Sequence, residues 1–129
     1  MMIKFRVWDK EEKKMHKVKT IEFSRRGARI IHLAEVNSNG KGDHKRWHSS
    51  VELMQSTGLK DKNGTEIYEG DIVKTNHSKY GRFIGFVDDA ASRFDVRGVK
   101  QYEHLSVDLR APCEILGNKH ENPELLEDE

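Results

Sequence analysis

The 129-residue sequence predicts a mostly β protein, with an N-terminal β-hairpin unit over residues 1–53 and a small closed barrel over residues 54–129 that ends in a short helical turn. Three observations carry this reading. The opening residues alternate apolar and polar with a period of two. Glycine-centred turn signals recur through Met54–Lys74, the stretch around which the chain is organised. Beyond it, five short apolar runs follow within about fifty residues, and strands this short escape exposed edges by closing into a barrel.

Ile3, Phe5 and Val7 alternate with Lys4, Arg6 and Trp8, and Ile21 and Phe23 resume the pattern after a charged turn at Asp9–Lys14. Residues 2–23 therefore read as a hairpin. A basic turn, Ser24–Gly27, comes next. Ala28–Val36 fits a short amphipathic helix as well as it fits a strand, because short apolar runs do not separate the two. Asn37–Asp43 is polar and glycine-rich, the signature of a mobile loop and a unit boundary. A further strand is expected in Val51–Gln55.

Gly58, the Asn63-Gly64 pair and Glu69-Gly70-Asp71 each read as a reversal, and Ile72-Val73 behind the last opens a buried strand. The expected strands are then Asp71–Thr75, Arg82–Val87, Arg93–Arg97, one within Tyr102–Leu109, and Cys113–Leu116. Loops are expected at His77–Gly81 and Asp88–Ser92, and Gly85 marks a bend. Asn122-Pro123-Glu124 suits one closing turn of helix over Leu125 and Leu126.

The stretch Met54–Lys74 resembles the signature of the YopX family, small proteins of bacteriophages and prophages. The opening Ile3–Asp9 and the closing Glu114–Leu126 resemble it too, whereas residues 24–50 carry no such likeness. The resemblance implies an SH3-like barrel for the C-terminal domain and a smaller N-terminal β unit. It implies no established activity.

Composition bounds the rest. Hydrophobic and charged residues each make up 35%, so the surface is heavily solvated, yet five Phe, three Tyr and two Trp suffice to anchor a core. One cysteine, Cys113, excludes an internal disulfide and suits a reducing cytosol. No apolar run reaches the roughly 20 residues of a membrane helix, and the opening residues lack the core of a secretory signal. The expected compartment is the cytoplasm of a bacterial host. Net charge is +1, but residues 1–53 hold 13 Lys/Arg against 7 Asp/Glu and residues 54–129 hold 10 against 15. Chance placement on a solvated surface explains that asymmetry, as do a nucleic-acid contact or head-to-tail association of chains.

Catalytic signatures are missing, so no enzyme and no cofactor are expected. His44 and His48 are four apart, which would place both on one face of a helix, but no cysteine or carboxylate pair stands nearby in sequence to complete a metal site. Asp61–Gly64 fails as a calcium loop, because Leu59 and Gly70 would fall where carboxylates are required. Asp88 and Asp89, with Glu69 or Asp71, offer carboxylates for a hard cation, the basis of a third-ranked hydrolase reading. Cys113 sits at an apolar strand start, where thiols are inert.

Two binding surfaces remain. Arg25, Arg26, Arg29, Lys41, His44, Lys45, Arg46, Trp47 and His48 form a basic cluster in which cations suit phosphates and Trp47 suits base stacking. The blander reading puts Trp47 in the core with the charges on loops, and it weighs more. Small barrels also bind proteins through aromatic-lined grooves, to which Tyr68, Tyr80, Phe83 and Tyr102 are candidates. The expected function is a protein-interaction module that self-associates and meets a phage or host protein, with nucleic-acid binding through residues 25–48 as the alternative. No membrane partner is expected.

Overall fold

Antiparallel strands make up nearly all the regular structure, and the helical segments among the described residues are three short 3-10 turns. The computed structural model describes residues 4–25, 27, 29–34, 44–90, 93–109 and 112–126. The chain divides into two compact units, residues 1–55 and 56–129. None of the described helices is long and apolar enough to cross a membrane.

In the first unit, β1 (Phe5–Asp9) pairs with β2 (Lys14–Phe23) through Val7↔His16, and β2 pairs with β3 (Arg29–Leu33) through Ile21↔Ile31. A short β4 (Lys45–Trp47) follows on the edge through Ile31↔Arg46. The other edge of β1 pairs with β5 (Val51–Lys60) through Val7↔Leu53 and Asp9↔Val51. Opposed residues share a face of the sheet, so Val7, Ile31, Leu33 and Val51 meet in one buried cluster with Val18, Ile21 and Leu53 around it. Complete burial of such a side chain contributes about 1.5–3 kcal/mol. The open choice over residues 28–36 resolves as a strand, because β3 has a hydrogen-bonded partner on each side. The glycine-rich loop expected at 37–43 lies outside the described residues.

Strand β5 crosses the boundary between the units, and its second half pairs with β6 (Glu66–Tyr68). Gly58, with φ +78°, sits where that register shifts, so it makes a bulge and not the expected reversal. The strand expected at 51–55 consequently runs on to Lys60. The chain reverses at Asp61–Thr65, around the Asn63-Gly64 pair, as expected. There the Asp61 carboxylate accepts the N–H groups of Asn63 and Thr65 through Oδ1 at 3.0 and 2.9 Å.

The rest of the second unit is a meander, β7 (Asp71–His77), β8 (Gly81–Ala90), β9 (Arg93–Gly98) and β10 (Ser106–Asp108), with β11 (Glu114–Asn118) returning to pair with β7. The strand order is β10-β9-β8-β7-β11, and no hydrogen-bonded ladder joins β10 to β11 among the described residues. Asp61 partly covers the outer edge of β11, since its Oδ2 accepts the Ile115 N–H at 3.0 Å. The core is Ile67, Val73, Phe83, Val87, Val96, Leu105, Leu109 and Cys113.

Strand β8 outlasts its expected end and carries Asp88 and Asp89 within it, where a turn was expected. Strand β11 likewise runs through Gly117, at a register shift, to Asn118. The closing turn of helix is a 3-10 turn at Pro123–Leu125, and the Asn122 side chain accepts the Asn118 N–H in place of capping it. Gly85 serves close approach: a Cβ there would stand 2.5 Å from the Arg97 carbonyl oxygen.

Candidate functional site

The outer face of the second unit carries a groove of about 790 Å³ lined by Lys74, Arg82, Phe83, Ile84, Val99, Lys100, Gln101, Tyr102 and Leu125. Strand periodicity builds its floor. Val73, Thr75 and Phe83 turn inward, so Lys74 and Ile84, which are directly opposed, face out together with Arg82. A 3-10 turn at Lys100–Tyr102 forms the far wall, seated by the Val99 N–H on the Ile84 carbonyl at 3.1 Å. Gly98 makes that seating possible, because any Cβ there would collide with the Tyr102 backbone. The Tyr102 ring lies 6.1 Å from the Phe83 ring, centroid to centroid, and Leu125 comes in from the last 3-10 turn.

A smaller pocket of about 210 Å³ adjoins it, lined by Lys62, Thr75, Asn76, Pro112, Cys113 and Glu114, with Lys74 and Arg82 common to both. Those two cations therefore form a ridge between the two cavities. Arg82 and Lys100 have no ion-pair partner among the described residues, whereas Lys62 holds Glu114 at 2.6 Å. That contact, with a weaker pull from Lys74, keeps the Glu114 carboxyl below the usual range. Cys113 is buried, and burial with the nearby charges of Asp61 and Asp71 raises its thiol pKa, the opposite of what a nucleophile needs.

The first unit holds a second cluster. Donor atoms of Asp9, Glu12 and His16 lie within 4.8 Å of one another, the spacing of a metal site. A cation already sits there. The Arg46 Nε donates to Asp9 Oδ2 at 2.6 Å, and another guanidinium nitrogen binds Glu12. Burial of Asp9 works against its charge, but the bond from Arg46 and the N–H groups of Glu12 and Glu11 prevail and lower its pKa. His16 Nε2 is buried with no hydrogen-bond partner. The pattern is that of a turn locked by a salt bridge.

Of the basic cluster, Arg25 is exposed in its turn, Arg29 opens β3 half-buried, and Lys45 is exposed on β4. Arg46 is held by carboxylates. Trp47 is 58% exposed, so the blander placement in the core does not hold. Paired positions put Trp47 on one sheet face with Ile30 and Glu22, and Lys45 on the same face two residues away. Arg26 and Lys41 lie outside the described residues. His44 and His48 are separated by strand β4, not ranged along a helix, which sets them about 13 Å apart along the chain. His48 Nδ1 instead accepts the Arg29 N–H at 3.2 Å.

Among the tyrosines, Tyr102 lines the groove. Tyr80 is 54% exposed and packs against His77 and His104, at 5.0 and 5.9 Å between ring centroids. Tyr68 is half-buried at the end of β6, with its N–H on Asp71 at 2.8 Å. Asp71 is buried in that turn, and strand alternation sends Asp88 and Asp89 to opposite faces, so the three carboxylates do not converge on one ion. Sequence reading missed Lys74, Arg82, Ile84, Lys100 and Leu125. The strand alternation that places Arg82 and Ile84 on one face was legible, but the pairing and the 3-10 turns that bring Lys74, Lys100 and Leu125 beside them were not.

These features define an all-β protein with a groove on its second unit and no assembled catalytic constellation among the described residues. Residues 4–127 match the family model described as YopX protein, and the chain belongs to that family. Two solved structures share the fold. Protein EF1440 from Enterococcus faecalis is 31% identical, covering 98% of this chain and 99% of its own, with a TM-score of 0.67. Protein yopX from Bacillus subtilis is 22% identical, covering 98% and 97%, with a TM-score of 0.61. No match was found among curated proteins. Neither the family description nor those of the two structures indicates an activity.

Proposed function

We propose that this chain is a non-catalytic binding module that takes a segment of a partner protein, from phage or host, into the groove beside Tyr102. The observation that carries the proposal is the groove itself, which joins an apolar floor to a rim of three cations, Lys74, Arg82 and Lys100. That combination suits a peptide with apolar and acidic side chains. Five short antiparallel strands, with Asp61 reaching the edge of β11, support an SH3-like reading of the unit. Self-association belongs to the same reading, favoured by the exposed Phe23 and Trp47 of the basic half. A phage or prophage origin and the bacterial cytoplasm follow from the family resemblance and from the lone buried thiol.

The test is selection of a displayed random-peptide library on the folded chain, repeated on Tyr102→Ala and Leu125→Ser variants whose folding is verified by circular dichroism. Peptides enriched on the parent and lost on both variants support the proposal. Enrichment that ignores both substitutions, or none at all, overturns it.

Nucleic-acid binding is the second reading, favoured by the exposed Trp47 beside Lys45. It requires a mobility shift at low salt that Lys45→Ala and Trp47→Ala weaken.

A further inference from the structure

The second half of the chain is acidic, with 15 Asp/Glu against 10 Lys/Arg over residues 54–129. Its two adjoining pockets invert that balance. Among the described residues, Lys62, Lys74, Arg82 and Lys100 line them against one carboxylate, Glu114, which Lys62 already neutralises. Random scatter of charges in an acidic unit would give the reverse. Positive potential concentrated in a concave, partly apolar surface attracts and orients anionic partners.

The backbone points the same way. Lys100 adopts φ +58°, the left-handed region that glycine and asparagine enter more readily. A glycine would relax this turn. The chain carries instead a long cationic side chain on the rim of the groove.

Resting on the protein-binding reading above, we infer that the groove selects an acidic segment of its partner, with an apolar side chain over Ile84, Val99 and Leu125 and carboxylates on the ridge of Lys74 and Arg82. Arg82 offers a fork that matches a carboxylate, and Lys74 and Lys100 add point charges. The floor argues against a nucleic acid. Ile84, Val99 and Leu125 are aliphatic, and of its two rings Phe83 is buried and Tyr102 partly buried, whereas single strands need successive exposed aromatic platforms.

The experiment uses a displayed library that encodes Asp and Glu at the same frequency as Asn and Gln, selected on the full chain. The expected result is enrichment of peptides that pair an apolar residue with two or more carboxylates. Synthesised without the display scaffold, those peptides should weaken about tenfold on Lys74→Ser/Arg82→Ser and about tenfold between 50 and 500 mM salt. Lys100→Gly should weaken them about threefold while raising the thermal midpoint, a split that a purely structural lysine would not give. Enriched peptides that lack carboxylates yet depend on Tyr102 would overturn the acidic preference and leave the groove standing. Absence of any Tyr102-dependent enrichment would overturn both. Displacement of the bound peptides by equimolar oligothymidylate would assign the groove to nucleic acid and overturn the inference.

Discussion

Asp9 in the first unit and Asp61 in the second are buried aspartates that each close a turn, and the two are kept ionised by different means. Asp9, 1% exposed, faces the Arg46 guanidinium, which arrives from 37 residues away, and accepts two N–H groups of its own turn. Asp61, 8% exposed, has no guanidinium. Three N–H groups, from Asn63, Thr65 and Ile115, bind its two oxygens, and the bond from Ile115 does most to lower its pKa against the opposing effect of burial. One carboxylate depends on a distant counter-charge. The other depends on backbone N–H groups, chiefly that of the distant Ile115 and then those of its own turn. The first unit should therefore be sensitive to loss of a single remote side chain, and the second to loss of acceptor geometry.

The chain supplies separate reporters for this contrast. Both tryptophans, Trp8 and Trp47, lie in the first unit, and all three tyrosines, Tyr68, Tyr80 and Tyr102, lie in the second. Arg46→Ala should have the largest effect. It leaves the Asp9 carboxylate buried without its counter-charge, and breaking such a pair costs about 3–5 kcal/mol. The denaturant midpoint read by tryptophan fluorescence should fall, with the tyrosine signal shifting less. Equal shifts in both signals would mean that the two units unfold as one.

Asp61→Asn comes next. Its single acceptor oxygen cannot serve both the turn and Ile115, and an unsatisfied buried N–H costs about 1–3 kcal/mol. The loss should appear in the tyrosine signal. An unchanged midpoint would show that the Asp61 contact to β11 contributes nothing.

The smallest and most discriminating difference should appear in acid. Both carboxylates titrate below their unfolded value, about 3.9 for an aspartate. Their stabilising effect is thus complete above that value and is lost as pH falls through the lower folded values. In Arg46→Gln, burial, already the largest single influence on Asp9, is no longer opposed by the charge of Arg46, so acid unfolding of the first unit should begin at higher pH than in the parent. The second unit should keep its onset. An unmoved tryptophan transition would place the stabilisation of Asp9 in its turn alone.

This contrast also marks how far sequence reading reached. Asp61-Lys62-Asn63-Gly64 announced a turn because an aspartate two residues before Asn63, with glycine next, can satisfy that turn locally. The bond from Ile115 to the same carboxylate spans 54 residues, and nothing near Asp61 foretells it. Gly58 was misread because a bulge and a reversal ask the same positive φ of a glycine. Arg46 was grouped with phosphate-facing cations because its neighbours are basic. Of its actual partners, Asp9 lies three strands away in sheet order and Glu12 in the turn that follows it.

By itself the sequence determined the β class, the turns at Asn63-Gly64 and Glu69-Gly70-Asp71, and the alternation that points Val7, Phe83 and Val87 inward. Those follow from backbone preference and from the two-residue period of a strand, which act over a few neighbouring residues. Tertiary structure alone decided that Lys74, Arg82 and Lys100 meet over an apolar floor while Arg46 is spent on Asp9. Register between strands is set by the burial of every side chain on a shared face at once, and no local stretch encodes that sum.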